Sequence, residues 1–173
     1  MKRIAVIFLL LISLIFNGCG QKEPIVDQKI VLLCRYTNGS INLNKGYYID
    51  WKGNKVFFDL TNESGDYMKH KKLYEYLLTT FESVEKKPFL KEEELKKCYE
   101  YLYSVDLDAE IVEEFHANDF GFVAIYGVRL QEGQEPTFIQ LGGTGDYILT
   151  NTDENAAKII DILGDDVWET YNE

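Results

Sequence analysis

Two stretches, Lys29–Thr37 and Gly46–Leu60, set their side chains on alternating faces with a period of two, which reads as strand. Ile30, Leu32, Cys34 and Tyr36 alternate with Val31, Leu33 and Arg35, so both faces begin apolar and the strand reads as an interior one. Gly46 to Leu60 reads as a hairpin. Tyr47, Ile49 and Trp51 share one face of its first arm, and Val56, Phe58 and Leu60 one face of its second. Gly53-Asn54 supplies a two-residue turn with glycine first, as a type II′ turn requires.

The period then changes. Leu73, Tyr76, Leu77, Thr80, Phe81 and Val84 recur at steps of three and four, predicting a helix from Asp66 to about Val84, with His70 extending its stripe. Leu95, Cys98, Tyr99 and Leu102 predict a second helix from Lys91 to about Val105, its first turn acidic at Glu92, Glu93 and Glu94. In Leu107–His116, Ile111, Val112, Phe115 and His116 permit a strand and Glu113 and Glu114 permit a helix. The turn at Asn118-Asp119-Phe120-Gly121 before the next strand favours the strand, and strands follow at Phe122–Leu130 and Thr137–Leu141. Gly142-Gly143-Thr144-Gly145-Asp146 lacks the Lys-Ser/Thr pair that opens a helix after a phosphate loop, so it reads as a turn or bulge, with more strand at Tyr147-Ile148-Leu149. Asn151 then caps a last helix to Leu163, with Glu154 completing a capping box and Gly164 ending it. Strands, two helices, strands and a final helix predict an α+β domain. Its mainly antiparallel sheet should have about five to seven strands, with about three helices packed on one face.

The first twenty residues obey a different rule. Lys2 and Arg3 precede an apolar run from Ile4 to Phe16 broken only by Ser13. A charged start, a short apolar run and small residues before a break are the parts of a secretory signal. The run is short of the roughly 20 residues that a transmembrane helix needs. Phe16-Asn17-Gly18-Cys19 resembles the lipobox of bacterial lipoproteins. The resemblance implies that Cys19 receives a diacylglyceryl group and, after cleavage behind Gly18, becomes the new N-terminus. Residues 1–18 are then a signal peptide, 19–28 a lipidated N-terminus and polar tether, and 29–173 a single extracytoplasmic domain held at the cell membrane. The mature part resembles small lipoproteins of Gram-positive bacteria in its early hairpin and in Gly145, Asp146 and Tyr147 followed by Asn151. No activity comes with that resemblance.

Loss of the leader removes two of the 18 Lys and Arg, leaving 16 against 29 Asp and Glu and a formal net charge of −13. That balance argues against nucleic acid and against docking on anionic lipid by charge, so the acyl chains must hold the protein to the membrane. With Cys19 lipidated, Cys34 and Cys98 remain, either as one disulfide of an exported protein or as two buried thiols.

Candidate sites are sparse. Tyr47, Tyr48 and Trp51 with Asp50 could form an aromatic surface for sugar rings or simply pack the hairpin. Glu114 and His116, with Asp119 in the following turn, are the nearest approach to a metal cluster but fall short of the three or four ligands a site requires. Gly-x-Ser-x-Gly, His-Glu-x-x-His and a reactive Cys–His pairing are all missing, so no catalytic residue, metal or cofactor other than the lipid on Cys19 is expected. Three functions fit this pattern. The first is a non-enzymatic module binding a protein, peptide or cell-wall component. The second is an inhibitor or immunity-type protein, whose acidity would suit a basic toxin or hydrolase. The third is a hydrolase whose paired carboxylates leave no sequence motif.

Overall fold

The computed structural model describes residues 28–38, 43–61, 66–67, 69–116 and 121–165. Residues 1–18, Cys19, Asp119 and the acidic C-terminal sequence beyond Asp165 lie outside them. Eight strands form one antiparallel sheet: β1 (Ile30–Asn38), β2 (Leu43–Asp50), β3 (Asn54–Asp59), β4 (Lys87–Pro88), β5 (Ile111–Phe115), β6 (Phe122–Arg129), β7 (Thr137–Gly145) and β8 (Tyr147–Asn151). Their order is β4-β3-β2-β1-β6-β7-β8-β5. Among the described residues there are three helices, α1 (His70–Thr80), α2 (Glu92–Ser104) and α3 (Glu154–Leu163). The α+β class is as expected, with more strands than the sequence suggested.

The helices do not share one face, as expected from sequence, but cover both. Leu73, Tyr74 and Leu77 of α1, with Phe81 beyond it, pack on Ile30, Leu33, Tyr48, Val56 and Val128. Leu95, Cys98 and Leu102 of α2, with Ala156, Ile159 and Leu163 of α3, pack on the opposite face against Leu32, Cys34, Ile49, Val123, Ile125 and Leu141. A sheet covered on both sides needs strands apolar on both sides. β1 meets that need through a bulge between Ile30 and Leu32, which sends Val31 and Leu32 to the same core while Ile30 and Leu33 face α1.

Several boundaries move for local reasons. The β2–β3 connection is the three-residue loop Trp51-Lys52-Gly53, not a two-residue turn at Gly53-Asn54. Gly53 takes φ 81° at its third position, and its N–H donates to the Asp50 carbonyl at 3.0 Å. The first helix begins only at His70 and ends at Thr80, where the chain turns and Ser83 N–H donates to the Thr80 carbonyl. Asn151 closes β8 instead of capping α3. The cap is Asp153, whose Oδ1 accepts from Asn155 N at 2.6 Å. Bonds from the Asp106 and Asn155 backbone N–H groups hold the Asp153 carboxyl below its ordinary range. Gln28, expected in the tether, is buried. Its Nε2 donates to the Ile30 and Val128 carbonyls, and Tyr103 Oη lies 3.1 Å from its Oε1.

The glycine run continues β7 as strand. A bulge at Ile125/Tyr126 precedes it, and the corner falls at Gly145-Asp146. Gly145 sits at φ 130°, and a Cβ there would lie 2.1 Å from the Gly121 carbonyl oxygen, so glycine is required. At this corner the sheet splays. β7 and β8 pair only at Gly142↔Thr150 and Gly143↔Leu149. The end of β7 stays with β6, and the start of β8 leaves with β5.

Candidate functional site

The residues proposed as an aromatic surface are mostly consumed by the fold. Tyr47 and Tyr48 are each 1% exposed and point into opposite cores. Tyr48 stacks on Phe81 at 6.1 Å, and burial first, then Asp50 and Glu82, pushes its hydroxyl up to about 12. Asp50, also 1% exposed, organises the β2–β3 loop: its Oδ1 accepts from Lys52 N at 2.8 Å and Asn54 N at 2.9 Å. Only Trp51 is open, with Lys52 Nζ 4.8 Å from its ring centroid. The four therefore do not share a surface.

Cys34 and Cys98 are both buried in the α2–α3 core, and no disulfide joins them. Burial, with Glu94 second, pushes the Cys98 thiol up to about 12, the setting of an inert core cysteine. His70 caps the aromatic end of the other core. Its ring lies 4.2 Å from Tyr126 and 5.2 Å from Phe138, and its Nδ1 is buried with no hydrogen-bond partner among the described residues. Burial first, then the Arg35 guanidinium, pushes His70 below the usual imidazole range. The unfolded chain therefore binds the proton near pH 6.5 while the folded one resists it, and stability is lost as pH falls below about 6.5. The urea midpoint should drop between about pH 7 and 5.5, and His70→Phe should flatten that drop. A His70→Phe protein with unchanged pH dependence would show that the imidazole is not the group responsible.

Glu114 and His116 lie exposed at the end of β5, and no group of three or more metal-ligating side chains occurs among the described residues.

What the sequence did not single out is the pair β5–β8 at the end of the sheet, joined to β7 through Gly142↔Thr150 and Gly143↔Leu149. Its register sets Ile111, Glu113 and Phe115 beside Asn151, Leu149 and Tyr147 on one side, and Val112 and Glu114 beside Thr150 and Ile148 on the other. Phe115 is 58% exposed, and its ring meets Tyr147, itself exposed, at 5.7 Å. Val112 and Ile148 are exposed on the reverse side. The ribbon is thus apolar and open on both faces, with Glu113 and Glu114 at its middle. It also ends the sheet. The opposite edge is blunted by β4, two residues long and half proline, whereas β5 runs five residues without one.

No protein-family model matches the chain, and neither a curated protein nor a solved structure does.

Among the described residues no helix is long and apolar enough to cross a membrane.

Proposed function

We propose that the protein is a lipid-anchored extracytoplasmic binding module with no catalysis of its own, and that it engages a protein or peptide partner through the β5–β8 ribbon. One observation carries the reading: apolar side chains stand exposed on both sides of the strand pair that ends the sheet, where the Phe115 and Tyr147 rings meet in the open. Exposed, contiguous apolar groups rimmed by polar ones mark interaction surfaces. The leader supplies the location. Cys19 would carry the acyl chains, and the nine residues from Gly20 to the buried Gln28 reach at most about 30 Å, keeping the ribbon near the membrane surface.

The test is crosslinking and recovery from membranes of cells making the full chain. The wild type should recover the same partner repeatedly, and Phe115→Ser with Tyr147→Ser, folded to the wild-type midpoint, should lose it. Cys19→Ala should lose membrane fractionation and lipid labelling but still capture the partner from detergent extract. Recovery of no reproducible partner, or of one indifferent to the ribbon substitutions, counts against the reading.

A further inference from the structure

We infer that the partner is an extended peptide segment carrying adjacent basic residues between apolar ones, and that it binds by adding a strand to the free edge of β5. This rests on the ribbon being the interaction site and names how that site recognises its partner.

The backbone makes the edge specific. Thr152 N–H donates to the Glu110 carbonyl at 3.0 Å, and His116 N–H donates to the Asp146 carbonyl at 2.9 Å. Both bonds lie in the same register as β5–β8. Hydrogen-bonded and non-hydrogen-bonded pairs alternate along an antiparallel ladder. Glu110, Val112, Glu114 and His116 therefore turn their N–H and C=O groups toward β8. Those of Ile111, Glu113 and Phe115 point outward, and no described strand takes them up. Such a row is the template for an added strand.

Charge selects the occupant. Between Lys97 and Lys158 the only Lys or Arg in the sequence is Arg129, and Arg129 is buried with its Nη2 on the Leu102 and Val105 carbonyls. Glu113 and Glu114 lie on the edge strand itself, and Asp106, Asp108 and Glu110 lead into it in sequence, all exposed. A second copy pairing edge to edge is disfavoured, because a two-fold axis at Glu113 or Glu114 sets that glutamate against its own counterpart. The acidic C-terminal sequence from Asp165 to Glu173 carries the same sign as the edge. A strand laid against Ile111-Val112-Glu113-Glu114-Phe115 meets two apolar rungs, two acidic ones and an aromatic one. The complementary strand offers an aromatic residue, two basic residues and two apolar ones.

The probe is a synthetic peptide with the core Tyr-Lys-Lys-Val-Val, followed by fluorescence anisotropy on the full chain in detergent. Saturable binding should weaken as salt rises through the range in which the Debye length falls below about 10 Å. A peptide with Glu-Glu in place of Lys-Lys should bind at least about tenfold more weakly, as like charges then face each other across the strands. Glu113→Pro is the decisive substitution: it deletes an N–H that points outward and leaves the β8 ladder intact, a position where an edge strand accepts proline. It should weaken binding about tenfold or more while Glu113→Gln, which keeps the N–H, weakens it only a few-fold. N-methylation of alternate peptide nitrogens should abolish binding without any change to the protein. Equal binding by the Glu-Glu peptide, or binding indifferent to both Glu113→Pro and N-methylation, overturns strand addition. So does dimerisation of the chain through this edge by sedimentation. If the peptide fails to bind while capture from membranes still depends on Phe115 and Tyr147, this inference falls and the ribbon remains the binding site.

Discussion

Leu102→Ala is expected to lower the stability of the domain by about 3 kcal/mol, within the range for a fully buried leucine, and Gly127→Ala alone by about 1–3 kcal/mol through overpacking. Together they should cost clearly less than the sum. The reason is one contact. Gly127 of β6 faces α2, and a Cβ built on it would lie 2.2 Å from Leu102 Cδ1 and 3.6 Å from Leu141 Cδ1. Leu102 has no exposed surface, so its side chain must repack within the core to make way. Truncating it opens the space that a methyl group on Gly127 would enter, so the double-mutant cycle should return a favourable coupling of about 1 kcal/mol or more. Urea unfolding of the four proteins measures it. Additive effects would mean that α2 is not seated on Gly127.

Asp50→Ala should cost about 2–4 kcal/mol, because it strands the Lys52 and Asn54 backbone donors and removes the bonds from Asn54 Nδ2, each made to a charged acceptor. Asp50→Asn, which keeps one carbonyl acceptor for the two backbone groups, should cost about 1 kcal/mol. The measurement again is unfolding by urea. A ligand-binding aspartate would give the reverse pattern, with stability untouched and only binding lost. Asp50→Ala at wild-type stability would restore it as a ligand candidate.

Asp50 also shows where sequence reasoning stops. An aspartate beside Tyr47, Tyr48 and Trp51 has the composition of a sugar-binding surface, and composition alone cannot tell which side chains reach water. Tyr47 and Tyr48 are adjacent, so a strand must send them to opposite faces. Either could have reached water only if its own face of the strand were left uncovered. That cover comes from α1 and α2, which are remote in sequence. For Cys34 and Cys98 the sequence leaves a disulfide and two buried thiols both open; the structure buries the two in one core as thiols, a choice that depends on tertiary geometry.

The ribbon was the largest omission. Ile111, Val112 and Phe115 with Tyr147 and Ile148 read from sequence as ordinary strand residues, and ordinary strands bury such side chains. Val112, Phe115, Tyr147 and Ile148 are instead exposed, at the end of the sheet where the chain turns at Gly145-Asp146. A signal was present in the long interval with no Lys or Arg other than Arg129. Its meaning depended on knowing that the interval contains the sheet's free edge.

By itself, the sequence determined the class of the fold and the type and order of most elements, because the periods of two and of 3.6 are local properties of backbone geometry. Its leader likewise carries the reading of Cys19 as a lipid anchor. The tertiary structure alone decided which strands neighbour one another, which faces the helices cover and where the sheet ends. Those outcomes depend on contacts between residues far apart in the chain, and the exposed edge of β5 is defined only by what the rest of the sheet leaves unpaired.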